Sequence, residues 1–312
     1  MTRAVPWVRN DALPMKTALA LLGARFLLAA LWAMHFLPLA LQAALGRSLG
    51  RLLHKLGGSR RRIALRNVAL CMPELDETAR AGLVREHFQW LGRSLLERGL
   101  LWHASHTRLK RLIHVEGDVG LAERSDKPVM WLVPHFVALD VAGASTQLFQ
   151  KRMVASIYQA QSNPVLDAAI RRGRLRFNQG QVFARSEKAL PLVRAVKRGW
   201  AFFNLPDMDF GARDAAFVPF FGVPAATLLA PARMARSLGM RVQPVVAEML
   251  PGGQGYRVRF LPAWEDFPGD DDEAAAARMN RWIESEIRAN PAQYLWVHRR
   301  FKTRPAGQAS LY

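Results

Sequence analysis

The sequence predicts an α/β fold, a mostly parallel mixed sheet flanked by helices, with an N-terminal membrane helix in front of it. Three observations carry that expectation. Between residues 112 and 205, short apolar runs of strand length alternate with amphipathic segments of helix length, the order that builds a parallel sheet. Residues 129–133 are apolar throughout, as in a buried strand. Residues 242–250 and 256–261 flank Pro251-Gly252-Gly253-Gln254-Gly255, a hairpin signal that closes the sheet with one antiparallel pair.

The first element is residues 17–45. The stretch 26–41 is apolar apart from His35 and Pro38, and 17–24 is apolar too, with Arg25 between them. This fits a helix that spans a membrane or lies in its interface. A cleaved signal peptide fits poorly, because the apolar part is long and no small-x-small site follows it. Arg47, Arg51, Lys55, Arg60, Arg61 and Arg62 outnumber Arg3, Arg9 and Lys16 on the other flank. The positive-inside rule then leaves the C-terminal portion in the cytoplasm. The chain divides into an anchor, 1–45, and one domain, 46–312.

Residues 60–70 mix basic side chains with Ile63, Leu65 and Val68. Pro73-Glu74-Leu75-Asp76 reads as a turn and cap for a helix over 77–101, with Leu83, Val84, Phe88, Leu91, Leu95 and Leu96 on its buried side. Strands are expected at 112–115, 129–133, 152–158, 181–184 and 200–205. Helices are expected at 140–149, at 164–174 with Pro164 in its first turn, and at 186–197 with Ser186 as cap and Glu187 in the first turn. A further helix is expected at 225–238, and one from the acidic run 270–273 to 289. No repeat or low-complexity linker calls for a second globular domain.

A net charge of +19 over 312 residues favours an anionic partner: nucleic acid, an anionic membrane face, a phosphorylated substrate or an acidic protein. Cys71 is the one cysteine, so an intramolecular disulfide framework is excluded, which suits a reducing compartment. It reads as a packed small hydrophobe and not as a nucleophile.

The most informative residues are His135 and Asp140 in Val-Pro-His-Phe-Val-Ala-Leu-Asp, residues 133–140. Two residues five apart on a regular helix lie about 140° apart around its axis. His135 is therefore expected in the turn before a helix beginning near Phe136, with Asp140 folding back under the ring. A carboxylate there fixes the tautomer and leaves the other ring nitrogen free as a general base. Alone, this H-x4-D match arises by chance in many proteins; its surroundings give it weight. It follows a predicted strand, where open α/β sheets place their sites. After it come Gly180-Gln181-Val182-Phe183-Ala184-Arg185, preceded by Arg171, Arg172, Arg174 and Arg176, then Pro206-Asp207-Met208-Asp209-Phe210-Gly211, then Pro244 within a strand.

The order of these blocks resembles the glycerolipid acyltransferase pattern, and more closely the late acyltransferases of lipid A biosynthesis, the lauroyl and myristoyl transferases of Gram-negative bacteria. The resemblance spans nearly the whole chain. Arg61-Arg62-Ile63 through Cys71-Met72-Pro73-Glu74-Leu75 is similar to that family's opening segment. Gly173-Arg174-Leu175-Arg176 and residues 206–211 are similar to its central blocks, and Gln293-Tyr294-Leu295-Trp296-Val297-His298-Arg299-Arg300-Phe301-Lys302-Thr303-Arg304-Pro305 to its C-terminal signature. Asp140 stands where many members carry glutamate. Gln159 stands where many carry arginine, so a substrate contact is lost or moved.

The resemblance implies a glycerolipid-acyltransferase-like fold and an enzyme of the bacterial inner membrane, with its catalytic domain on the cytoplasmic side. It implies acyl transfer from acyl carrier protein to a hydroxyacyl chain of a phosphorylated lipid A precursor, without a covalent intermediate and without a cofactor. His135 and Asp140 are the implied catalytic pair. Arg171, Arg174 and Arg185 are candidates for the phosphates, each otherwise a solvated surface charge. Asp207 and Asp209 are candidates to position the sugar or the arginines, Asp207 otherwise being a turn residue after proline. The amides opening the next helix are candidates for an oxyanion site. The +19 charge suits three partners together: anionic inner-membrane lipids, the phosphorylated sugar and the acidic carrier protein. An apolar cleft near His135 is expected to admit the acyl chain, with its depth setting chain length.

Two other readings stay open on the sequence: an acyltransferase using acyl-CoA or acting on a glycerolipid or aminolipid, and a non-catalytic basic membrane or nucleic-acid binder. No helix-turn-helix, zinc finger or aromatic-basic platform supports nucleic acid. His103 and His106 lack nearby thiols or carboxylates and read as a surface pair, not a metal site. His298, among Arg299, Arg300 and Lys302, reads as structural or as lying near the acidic partner. Trp90, Trp102 and Trp282 read as core or membrane-interface anchors.

Overall fold

The computed structural model describes residues 15–177 and 180–312. Arg3 and Arg9, which enter the charge comparison above, lie outside the described residues. In chain order the elements are α1 (Met15–Met34), α2 (Leu39–Leu56), α3 (Gly58–Cys71), α4 (Glu77–Leu96), α5 (Arg98–His103), α6 (His106–Leu112), β1 (Ile113–Gly117), α7 (Leu121–Arg124), β2 (Val129–Leu132), α8 (Leu139–Leu148), β3 (Val154–Tyr158), α9 (Pro164–Arg174), β4 (Gln181–Ala184), α10 (Leu190–Lys197), β5 (Ala201–Asn204), β6 (Ala215–Phe220), β7 (Val223–Leu228), α11 (Ala230–Ser237), β8 (Arg241–Met249), β9 (Tyr256–Phe260) and α12 (Asp272–Ala289).

The main sheet runs β1-β9-β8-β2-β5-β3-β4, and every neighbouring pair is parallel except the β8–β9 hairpin. This is the mostly parallel mixed sheet that the alternating segments predict. Strand β2 is buried at every position because both faces are covered. Trp131 and Phe203 point to the side of α5, α6 and α8, with Leu100, Leu109 and Val141. Met130, Leu132 and Phe202 point to the opposite side, against Leu192 and Val196 of α10, Ala235 of α11 and Met279 of α12. A third apolar cluster joins α3 and α4 to the C-terminal segment through Val68, Phe88, Ile287, Trp296 and Phe301.

The structure departs from the sequence reading in four places. The apolar stretch 17–45 is two helices, interrupted at 35–38, because Pro38 has no N–H to give and caps α2 instead of continuing α1. Among the described residues, helix α1 alone is long and apolar enough to cross a bilayer, with a mean hydropathy of 1.8 over Thr17–Met34. Residue 45, expected to end the anchor, lies inside α2. The helix expected over 77–101 ends at Leu96, and α5 starts a new axis there. The helix expected from 186 begins at Leu190; Ser186 does not cap it, and the Glu187 carboxylate accepts the Ala184 N–H at 3.0 Å in the intervening turn. Within the expected helix 225–238, the first part is strand β7, paired with β6. Phe221 and Gly222 link the two at φ 50° and 75°, the left-handed pair that a two-residue hairpin requires.

Helices α2 and α4 meet backbone to backbone. A Cβ at Gly50 would fall 2.1 Å from the Phe88 carbonyl, and one at Gly92 would fall 2.2 Å from the Gly46 carbonyl. Gly82, in the same helix α4, has nothing within 4 Å of its would-be Cβ. Gly92→Leu should therefore destabilise the protein by about 1–3 kcal/mol through overpacking. Gly82→Ala should stabilise it by about 0.5–1 kcal/mol through helix propensity alone. Thermal unfolding in detergent of the two variants checks both signs.

His87, buried on α4, hydrogen-bonds through Nδ1 to the Ala292 carbonyl at 3.1 Å, and burial pulls its pKa down to about 4. The unfolded chain holds this imidazole near the ordinary value of about 6.5. The folded state thus resists its protonation, so the contribution to stability is full above about pH 6.5 and is lost as pH falls towards 4. Tm should drop across that window, and less steeply in His87→Gln, measured by scanning fluorimetry across buffers.

Candidate active site

Two loops at one edge of the sheet build the site. Strands β2 and β5 are parallel neighbours with Leu132 opposite Asn204, and the Val133 N–H extends the ladder to the Asn204 carbonyl at 2.9 Å. His135 lies three residues past Leu132, and Asp207 three past Asn204. Matched register therefore delivers an imidazole and a carboxylate to the same height beyond the C-terminal ends of adjacent strands. The Asp207 Oδ1 accepts from His135 Nδ1 at 2.6 Å, and its Oδ2 accepts from the His135 backbone N–H at 2.8 Å. Asp207 is fully buried, while the His135 side chain is 12% exposed.

This arrangement sets the electrostatics. Burial alone would raise the pKa of Asp207, but the His135 ring, the two hydrogen bonds from His135 and the charge on Arg300 outweigh it and hold the carboxyl below its ordinary range. An ionised carboxylate only accepts, so Nδ1 carries a proton and Nε2 is the ring nitrogen that faces away from Asp207.

The carboxylate partner of His135 is thus Asp207, not Asp140 as expected. His135 does sit in the turn before a helix, but α8 starts only at Leu139. Asp140 faces α5 and α9 instead: its Oδ2 accepts from Arg98 Nε at 2.9 Å and its Oδ1 from Arg174 Nη2 at 3.2 Å. Burial opposes its charge, and the two guanidinium groups outweigh that to hold its pKa at about 2. The second residue of the H-x4-D block ties three helices together.

The C-terminal signature holds the His135 loop from the other side. The Val137 N–H donates to the Gln293 carbonyl at 2.8 Å and the Leu295 N–H to the His135 carbonyl at 2.9 Å, with Phe136 bridged to Tyr294. Helix α3 grips that segment in turn, Asn67 Nδ2 donating to the Trp296 carbonyl at 2.7 Å and the His298 carbonyl at 2.6 Å. His298 is pulled by burial to a pKa of about 4, and its Nε2 accepts the Asp209 N–H at 3.3 Å, so it is neutral and structural.

Asp209 is not placed to bind a sugar. Its carboxylate is occupied by the Thr303 N–H at 2.6 Å, the Thr303 hydroxyl at 2.7 Å and the Gly211 N–H at 2.9 Å. Asp207 likewise serves His135 and not a substrate or a bare turn. Of the candidate arginines, Arg174 is paired with Asp140 and 31% exposed. Arg171 is exposed above the Tyr158 ring and lines an open cleft with Arg172, Gln161 and Asp167. Arg185 is exposed with its guanidinium 4.1 Å from the Phe210 ring centre. Arg98, Tyr294 and Trp102 were not singled out as site residues from the sequence; their relevance comes from packing between segments far apart in the chain. Cys71 is buried, with its thiol pKa pushed well up by burial. Among the described residues no group of His, Cys, Asp or Glu is placed to hold a metal ion.

Below α8 lies a narrow cavity of about 50 Å³. Leu139, Asp140, Gly143, Arg174, Phe203 and Trp102 are among the residues that line it. Its lining is mostly apolar, with the Asp140 carboxylate and the Arg174 guanidinium among the polar groups.

A palmitoleoyltransferase of lipid A biosynthesis from Escherichia coli is 34% identical over 290 residues, 92% of this chain and 93% of that protein. A lauroyltransferase of lipid A biosynthesis from the same organism is 34% identical over 285 residues, 90% of this chain and 92% of the relative. Among solved structures, a 1-acyl-sn-glycerophosphate acyltransferase from Thermotoga maritima aligns with a TM-score of 0.39 and 13% identity over 80% of this chain and 97% of its own, too distant to bear on function. Residues 14–303 match the family described as bacterial lipid A biosynthesis acyltransferase, and the chain belongs to that family of enzymes.

Proposed function

We propose that this acyltransferase moves a fatty acyl group from acyl carrier protein to the hydroxyl of a hydroxyacyl chain on a phosphorylated lipid A precursor, with His135 as general base and Asp207 as its orienting carboxylate. The observation that carries this reading is the short Nδ1–Asp207 hydrogen bond, which leaves Nε2 as the base. Nε2 takes the proton of the acceptor hydroxyl as its oxygen bonds to the thioester carbonyl carbon. The tetrahedral intermediate then expels the thiolate, breaking the C–S bond, and the imidazolium returns the proton to sulfur. Asp207 stays ionised and steadies the imidazolium. No enzyme nucleophile and no cofactor is needed.

Asp140 takes part by holding Arg174 in the lining of the apolar cavity and tying it to Arg98. The exposed Arg171 and Arg185 are the better phosphate contacts, because among the described residues no carboxylate forms an ion pair with them; Arg174 contributes through the pose that Asp140 gives it. The charge of +19 supports an acidic carrier protein as donor and anionic lipids as the surrounding surface. The apolar α1, followed by Arg47, Arg51 and Lys55, supports a place in the bacterial inner membrane with the domain on the cytoplasmic side.

Replacing the base should lower kcat by about 10²–10⁴-fold in His135→Ala. Asp207→Asn should lose activity on the order of 10²-fold or more, because an amide can stabilise the wrong tautomer while filling the same space. Steady-state assays on membrane-reconstituted protein, with unfolding curves to show that the fold is kept, test both; wild-type turnover in His135→Ala refutes the assignment. Arg171→Ala should raise KM for a phosphorylated acceptor severalfold, and by less for its dephosphorylated form. Equal changes on the two acceptors would remove Arg171 from phosphate binding.

A further inference from the structure

The apolar cavity has a neighbour. A second hollow lies among α1, α5 and α9, lined by Leu28, Trp102, His103, Ala169 and Arg176. Trp102 and Gly173 line both spaces. A Cβ at Gly173 would sit 2.3 Å from both Cδ1 and Nε1 of Trp102, so the indole rests directly on the glycine backbone. One aromatic ring therefore stands between the cavity below α8 and a hollow bordered by the apolar N-terminal helix.

The neighbouring residues brace this partition. Arg176 donates to the carbonyls of Leu101 and Ala104 at 2.8 and 2.5 Å, which fixes the end of α5 on either side of Trp102. Arg174 ties α9 to α8 through Asp140. The run Gly173-Arg174-Leu175-Arg176 thus supplies the flat seat for the indole and the two clamps that hold the walls around it.

We infer that Trp102, seated on Gly173, closes the acyl cavity off from the hollow beside α1 and sets the longest chain the enzyme transfers. The inference rests on the cavity being the donor-chain site of the proposed reaction. Removing the indole joins the two spaces and lets a longer chain run on towards Leu28 of α1. Each additional buried methylene contributes about 0.8 kcal/mol, so two carbons newly accommodated are worth on the order of 10-fold in kcat/KM.

The test uses the full-length enzyme in membranes and a series of carrier-protein donors whose saturated chains rise by two carbons. Trp102→Ala should raise the kcat/KM ratio of the donor two carbons above the wild-type optimum, relative to that optimum, by about 10-fold. Trp102→Phe, which keeps a smaller ring on Gly173, should give an intermediate ratio and serves if the alanine variant does not fold. An unchanged donor ratio in an active Trp102 variant overturns the inference while leaving the His135 mechanism standing. A shift in acceptor preference with an unshifted donor profile overturns it too, by giving the cavity to the acceptor. Wild-type turnover in His135→Ala is a separate outcome that strikes the mechanism and not the partition.

Discussion

The hydrogen bond between His135 and Asp207 is the constraint around which the rest of the molecule is arranged. It exists because two parallel strands end level with each other and two loops of equal offset leave them. Neither loop is regular structure, so each must be held from outside. The backbone of the C-terminal signature pairs with the His135 loop, and α3 and α4 hold that signature through Asn67 and His87. The conformational cost of a precise two-atom contact is spread over a sheet, two helices and a terminal strap.

Most of the fold could be read along the chain. Strands and helices alternate where the sequence places them, and helix 164–174 and strand 181–184 match residue for residue, because local periodicity and capping decide such elements. The β6–β7 hairpin was hidden by its alanines and prolines, which carry no strand signal; the positive φ at Phe221 is set by pairing and not by propensity. In the site, His135 was legible and its partner was not. Asp140 is near in sequence and Asp207 is near in space, and only strand register, which a single sequence does not display, chooses between them. The order of the two predicted strands and the equal offsets of His135 and Asp207 were the available signal.

The charge of the chain also needs dividing by location. Arg93 pairs with Glu97 while fully buried, Arg300 is buried and donates to the Ala226 carbonyl and the Thr227 hydroxyl, and Arg176 closes the end of α5. These guanidiniums are internal ties. The ones left to meet an anionic partner are a subset, among them Arg171, Arg172 and Arg185, gathered on and after α9. Net charge therefore overstates how many side chains are free to meet an anionic partner.

The glycine seam between α2 and α4 decides how far this protein can be taken apart. A cut at residue 45 would pass through α2 and strip Gly46 and Gly50 of the helix that presents them to Gly92. The surface uncovered on α4 is bare main chain, for which a solubilising side chain offers no remedy. The helix that packs against α4 consequently begins inside the apolar N-terminal stretch, and a boundary at residue 45 divides one packed unit.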